Sequence, residues 1–311
     1  MLSRPWLGPL IGLALVYVLL AVLTGGDFLR PFTQATIAKQ TVIVGLGAVG
    51  MTLVIVAGGI DLSIGSVVAL VAVVVAWALR AGHGPWAAAV FGLVAGLGCG
   101  LVNGSLVARF RITPFIVTLG TMSAIRGLAK GLANEQKIDA DARGLDELMA
   151  MRPGSLSLLP IGVFIALALA AAGAVLLERA RLGRHLVAVG SSPAAARLAG
   201  LSIGGVTVAA YTIAGLLAGV AGVMDFATLT VGDPTGSVGL ELAVIAAVVI
   251  GGGSLSGGQG SIPGSLIGAL LMTVLATGAT QLGVANWVQE ILTGFIIVAA
   301  VGLDRLRQKT T

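Results

Sequence analysis

The spacing of ionisable residues constrains this chain more than any other feature. Residues 5–26, 40–60, 62–79, 81–108, 153–177, 198–224 and 242–289 contain no Asp, Glu, Lys or Arg. A helix that crosses a bilayer needs about 20 mainly apolar residues, so each run holds at least one span. The 242–289 run is too long for one helix, and Gly251-Gly252-Gly253-Ser254-Leu255-Ser256-Gly257-Gly258-Gln259-Gly260 cuts it into two. Adding a span near 113–133, interrupted by Arg126, and one near 287–303 gives about ten crossings. With 10% of residues charged, where soluble chains carry about 25%, the apolar excess exceeds what one core inside a polar shell accommodates. The solvent is lipid, which excludes a soluble enzyme. The expectation is an all-α integral membrane protein, with residues 1–311 forming one transmembrane domain and Gly-rich broken or re-entrant segments inside it.

An even number of crossings puts both termini on one side. The first apolar stretch follows Arg4 but is too long for a secretory signal and lacks a small-x-small cleavage site, so it reads as a retained helix. Tight basic clusters face the cytoplasm. Placing the N-terminus there puts Arg4, Arg109, Arg111, Arg179, Arg181, Arg184, Arg197, Arg305, Arg307 and Lys309 inside. The basic residues expected outside fall mostly in 24–39 and 130–157, which also hold many acids. The 130–157 connection is mixed in sign, which suits either a docking loop or a solvated link.

The longest internal connection, 178–205, carries helix punctuation. Ser192 suits an N-cap, Pro193 the first helical position, Ala194, Ala195 and Ala196 have high helix propensity, and Gly200 follows Arg197 as a terminator. About two turns of helix are expected on the cytoplasmic surface. Its small residues make it poorly amphipathic for lipid, which favours a protein partner.

Glycine supplies 47 of the 311 residues. Gly92, Ala95, Gly96, Gly98 and Gly100 read as close helix packing. Two other places, Gly58-Gly59-Ile60-Asp61-Leu62-Ser63-Ile64-Gly65-Ser66 and 251–264, combine glycine with serine and interrupt apolar sequence. Backbone breaks helix in a membrane only where its polar groups are satisfied within protein or line a watery cavity, so these segments mark a candidate pathway or gate. Gly59, Asp61, Ser63, Gly252 and Ser254 are its candidate residues. Asp61 admits two readings: an intramembrane carboxylate that acts on substrate, ion or gate, or a cap for the next helix. For Arg126, snorkelling is the commoner reading and a pathway role the other. Asp225, Asp233 and Glu241 are expected near solvated ends of their spans.

Chemistry of other kinds finds no support. Cys99 is the only cysteine, and His83 and His185 lie in separate loops, so no catalytic set, metal set or cofactor is expected. The net charge of +5 comes without a basic stripe interleaved with aromatics, which argues against nucleic acid. Leu255-Ser256-Gly257-Gly258-Gln259 spells an ABC ATPase signature, but no lysine follows a glycine, so there is no phosphate-cradling loop and the letters are coincidence.

Taken together, Gly50-Met51-Thr52-Leu53-Val54-Ile55 with Gly58–Ser66, Thr113-Pro114-Phe115-Ile116-Val117-Thr118-Leu119-Gly120 with Arg126-Gly127, Glu241-Leu242, Ile245–Gly252 and Gly264–Ala269 resemble the permease subunit of bacterial ABC importers of the ribose, xylose, arabinose and galactoside type. The resemblance covers nearly the whole chain. It implies a multi-pass inner-membrane protein paired with a second permease subunit, energised by two cytoplasmic ABC ATPase domains and fed by a periplasmic sugar-binding protein. It also places residues 191–200 at the ATPase contact, although Ser191-Ser192-Pro193 stands where the family usually has Gly-Asn before the alanines. A stand-alone carrier driven by an ion gradient is the alternative. Aromatic residues are 5% of the chain, too few for sugar-stacking platforms, so selectivity is assigned to the binding protein.

Overall fold

The computed structural model describes residues 7–151 and 159–308, without the side chains of residues 300 and 303–308. Arg4, Arg152 and Lys309, and the side chains of Arg305 and Arg307, lie outside the described set. Twelve α-helices are present among the described residues. Ten run the length or half-length of the bundle: α1 Leu7–Leu23, α2 Pro31–Val56, α3 Ile64–Arg80, α4 Pro85–Phe110, α5 Pro114–Leu132, α6 Ile161–Arg179, α9 Ile203–Leu229, α10 Leu240–Ile250, α11 Ile262–Gln281 and α12 Asn286–Gln308. Five of these, α2, α4, α6, α9 and α11, are long and apolar enough to cross a membrane alone, and α1, α3, α10 and part of α12 are shorter apolar helices. The mainly helical membrane architecture expected from the sequence is what the structure shows, with five clear spans and several shorter apolar helices where about ten crossings are expected.

Two further helices, α7 Arg181–Ser191 and α8 Pro193–Leu198, sit together at one end of the bundle. Residues 181–191 are therefore helical where the sequence reads as part of a connection. The period explains it: Gly183, Leu186 and Val189 are buried at spacings of three along α7. At the opposite end, β1 Ile138–Asp139 pairs antiparallel with β2 Val231–Gly232, a small departure from an all-helical chain. Leu145 and Met149 are each 1% exposed, so the 133–151 stretch is a folded cap over that end and not a loosely solvated link.

Helix contacts follow the glycines. Along α4, Gly96, Gly100 and Gly104 face α9, and a Cβ on Gly96 would stand 2.6 Å from the Gly215 carbonyl oxygen and 2.7 Å from Gly219 Cα. Small residues let two backbones approach where lipid offers no hydrophobic drive. Gly98, on the other side of α4, meets open space. The best-buried helix is α3, whose residues 64–73 are all buried among α4, α5, α9 and α10.

Depth follows from contacts. A Cβ on Gly47 would lie 2.8 Å from Val244 of α10 and 3.6 Å from Ile64 at the start of α3. Gly47 precedes the end of α2 by nine residues, so α3 starts about 13 Å above that end, and α10, whose fifth residue is Val244, starts roughly one turn higher. A Cβ on Gly65 would collide with the Ser237 carbonyl and the Glu241 carboxylate. Two helix N-termini thus meet inside the bundle, reached by the ascending segment 57–63 and by the segment 230–239 entering from the β-ribbon end.

Candidate functional site

The ascending segment satisfies its own polar groups, which is the condition for leaving helix inside a membrane. Gly58 and Gly59 amides donate to Ile55 and Val54 carbonyls at 2.8 and 2.9 Å. The Ile60 carbonyl accepts from the hydroxyls of Thr118 and Tyr211, each at 3.1 Å. Asp61 Oδ1 accepts from the Ser63 amide at 2.9 Å and the Ser63 hydroxyl at 2.6 Å, and Asn103 Nδ2 donates to Ser63 Oγ at 2.8 Å. Asp61 is 4% exposed, and Ser63 and Asn103 are fully buried. The Asn103 carbonyl oxygen has no hydrogen-bond partner among the described residues. A Cβ on Gly59 would stand 2.6 Å from the Tyr211 hydroxyl oxygen. Gly59, Asp61 and Ser63 therefore form one buried polar knot in which a short-range Asx turn, and no direct N-cap bond to α3, engages the carboxylate.

Gly252 and Ser254 lie elsewhere. The 251–261 connection sits at the α8 end and joins α10 to α11, and it packs against the lower end of the ascending segment. The Gly258 amide donates to the Val56 carbonyl at 2.9 Å. A Cβ on Gly257 would stand 2.7 Å from the Gly190 carbonyl oxygen and 3.0 Å from Gly58 Cα, and one on Gly258 would stand 3.0 Å from Ser191 Cα. Reciprocally, a Cβ on Gly190 would strike the Val56 carbonyl oxygen and lie 2.6 Å from the Gly258 amide nitrogen. Both glycine-rich segments and the end of α7 thus meet backbone to backbone.

From that junction the chain enters α8. Ser192 Oγ accepts from the Ala195 amide at 3.2 Å, Pro193 occupies the first turn, and Gly200 adopts φ +79° just beyond the helix. Ala196 is buried, while Pro193, Ala194, Ala195, Arg197 and Gly200 are exposed and Leu198 is 91% exposed. The result is a short capped helix with an unburied leucine, rooted in a close backbone-to-backbone junction.

The second excursion inward, 230–239, was not legible as such. It carries Asp233 and reads as a solvated end, yet it places Ser237 and Glu241 against Gly65. Its available signal is the combination of Pro234, Gly236 and Gly239 with a following helix of only 11 residues. Arg126 secures it: one guanidinium nitrogen donates to the Pro234 carbonyl at 3.0 Å and the Gly236 carbonyl at 2.6 Å. The arginine is thus neither snorkelling free nor aimed into a channel; it ties α5 to this segment. At the outer edge, Lys137 pairs with Asp233 at 2.9 Å. Partial burial pushes the Asp233 carboxyl up, but the Thr235 hydroxyl, Lys137 and the Thr235 amide together hold it below its usual range.

No group of three or more His, Cys, Asp or Glu that could hold a metal exists among the described residues.

Comparison with known proteins agrees. A family model described as branched-chain amino acid transport system, permease component, matches residues 34–301. The ribose import permease protein RbsC of Bacillus subtilis is 37% identical over 96% of this chain and 92% of its own length. The fructose import permease protein FrcC of Rhizobium meliloti is 37% identical over 99% and 87%, and the L-arabinose ABC transporter permease protein AraH of Azospirillum brasilense is 35% identical over 96% and 88%. No solved structure matches. With a family model matched over most of its length and relatives above one-third identity across nearly all of it, the chain belongs to the permease-component family of ABC import systems.

Proposed function

We propose that this permease carries a monosaccharide or related polyol through the bacterial inner membrane, with α7 and α8 on the cytoplasmic side and both termini there. The basic clusters Arg109, Arg111, Arg179, Arg181, Arg184 and Arg197 all lie toward the α8 end, which supports that orientation. Residues 1–311 act as one permease domain, paired with a second permease subunit. Two cytoplasmic ABC ATPase domains engage α8 through Ser192, Pro193, Ala194, Ala195, Ala196, Arg197 and Gly200, and a periplasmic sugar-binding protein delivers the solute. The relatives named for ribose, fructose and L-arabinose import support the substrate class.

The observation that carries this reading is the seat of α8. Its root, Gly190-Ser191, touches both glycine-rich segments at once, so a displacement of the handle by ATP-driven closure bears on α2, α3, α10 and α11 together. Gly59, Asp61 and Ser63 form the hinge of the ascending segment in this scheme, and Gly252 and Ser254 belong to the connection that follows the handle.

The test is reconstitution in vesicles with the ATPase partners and the binding protein. Deleting residues 192–199 is expected to abolish ATP-dependent uptake of labelled sugar while leaving membrane insertion intact. Unchanged uptake would remove the coupling role of α8, and uptake driven by an ion gradient without any ATPase would return the protein to the secondary carriers.

A further inference from the structure

The half of the bundle away from α8 contains a cavity of about 710 Å³ between α2, α10, α11 and α12, with Asp225 of α9 and the 237–240 segment in its wall. Its volume falls within the range of small-molecule sites, roughly 300–1,000 Å³. Most of the lining is aliphatic, and the polar exceptions converge: Gln40, Asp225, Ser237, Thr273, Gln289 and Thr293.

The bonding state of these groups is informative. Asp225 is only partly accessible, and no hydrogen bond or ion pair reaches its carboxylate from any described residue. Nor does any engage the Ser237 hydroxyl. Gln40 Oε1 accepts from Thr277 at 3.0 Å, which leaves its amide donors free. Gln289 shows the opposite: its amide donates to the Val284 carbonyl at 2.9 Å and to Thr280 at 3.3 Å, which leaves its carbonyl free. The cavity therefore presents two carboxylate oxygens, an amide carbonyl, an amide donor pair and a hydroxyl, none saturated by protein. A carboxylate partly removed from water without donors is costly, and a solute carrying several hydroxyls supplies donors to the acidic side and acceptors to Gln40. An apolar remainder with few polar fixtures suits brief residence over tight capture.

Position adds to chemistry. Ser237, Gly239 and Leu240 belong both to this cavity and to the inward segment that bears on Gly65 and is tied by Arg126. The floor of the cavity is thus the place where the two internal helix N-termini meet, so their separation opens the cavity toward the α8 end.

We infer that Asp225, with Gln40, Ser237 and Gln289, forms an internal resting site for a neutral polyhydroxylated solute, directly above the segment that closes the route. This inference deepens the sugar-import reading and rests on it.

The experiment uses the assembled transporter in vesicles with its binding protein, labelled ribose, fructose and L-arabinose as probes, and parallel measurement of uptake and ATP hydrolysis. Asp225→Asn is expected to lower uptake about tenfold while binding-protein-stimulated hydrolysis stays within about twofold of the parent, and Gln289→Leu to lower it about threefold. Glu290→Gln, a neighbouring charge outside the cavity lining, is expected to match the parent. As a readout independent of transport, Ser237→Cys in a Cys99→Ala background is expected to react with a small hydrophilic thiol reagent more slowly when ribose is present at high concentration. Parental uptake by both Asp225→Asn and Gln289→Leu would overturn the site, as would Asp225→Asn losing uptake and hydrolysis together or Ser237→Cys labelling indifferent to ribose. A parent assembly that moves none of the three sugars would instead sink the import reading, and that result needs no variant to be recognised.

Discussion

The two glycine-rich segments, 57–63 and 251–261, look alike in sequence and differ in physical use. The first leaves the end of α2, climbs through the bundle and delivers α3 at mid-depth, where Thr118, Tyr211, Ser63 and Asn103 take up the hydrogen bonds that helix would have supplied. The second stays at the α8 end, and its glycines serve contact, because Gly257 and Gly258 let the backbone of α7 approach. Glycine content alone does not mark a break within a membrane. What distinguishes the segments is the supply of side-chain partners around 57–63 and the absence of bulk around 251–261.

The largest expected effect tests the contact role. In Gly190→Ala the added Cβ meets the Val56 carbonyl and the Gly258 amide, both backbone, so no flexible side chain can yield. Loss of ATP-dependent uptake is expected, with a fall of several degrees in the melting temperature of the purified protein. Gly200→Ala separates packing from handle conformation: no atom lies within 4 Å, and only the φ of +79° resists, which costs roughly 1 kcal/mol. If Gly190→Ala is as mild as Gly200→Ala, the backbone junction is not the transmission point.

Next is the polar knot of the climbing segment. Asp61→Ala removes the acceptor of two buried bonds and is expected to destabilise by about 1–3 kcal/mol, measured by denaturation in detergent. Asp61→Asn retains an acceptor oxygen. Near-parental melting and uptake in Asp61→Asn identify the turn as the role of this residue, whereas parental melting with lost uptake identifies the charge.

These differences show why only part of the fold was legible. Charge-free runs located the spans because lipid penalises ionised groups directly, a local property. The capped helix at 193–198 was legible for the same reason, since Ser192, Pro193 and Gly200 act within a few residues of themselves. The depth at which α3 begins was not, because it depends on Gly47 meeting Ile64 and Val244, partners distant in sequence. The 230–239 excursion is not readable from the sequence because Asp233 reads as a solvated end, and the arginine that secures the segment lies more than 100 residues earlier. The same holds of Asp225 for a related reason: a carboxylate near the end of a span looks exposed until α10, α11 and α12 are placed around it.

Arg126 provides the next effect in size. Arg126→Leu removes the single guanidinium nitrogen that donates to both the Pro234 and Gly236 carbonyls. A loss of about 1.5–3 kcal/mol is expected if a charge-assisted bond goes, read as a lower melting temperature. Uptake should fall more than in a surface variant of equal stability, because the segment held by Arg126 runs into the wall of the Asp225 cavity. Smaller still is Ser192→Ala, which removes the bond to the Ala195 amide and should cost about 1 kcal/mol locally. Its signature is faster amide exchange confined to 193–199 without a change in global melting.

The smallest effect lies at the β-ribbon, where Lys137 and Asp233 join the 133–151 cap to the inward segment. The pair is partly exposed, Lys137 being 67% accessible, so Lys137→Met should cost no more than about 1 kcal/mol at neutral pH. The pH dependence gives the sharper reading. Because the folded protein holds the Asp233 carboxyl below its usual range, the stabilisation is fully present above the unfolded value, about 3.9. It is lost as pH falls through the lowered folded value, where the carboxylate takes up a proton. Melting temperatures of parent and Lys137→Met should therefore differ at pH 7 and converge in that acidic window. A difference that persisted there would assign the effect to the lysine stem packing on the cap and leave the two halves of the bundle joined at this end by Arg126 and the β1–β2 pairing.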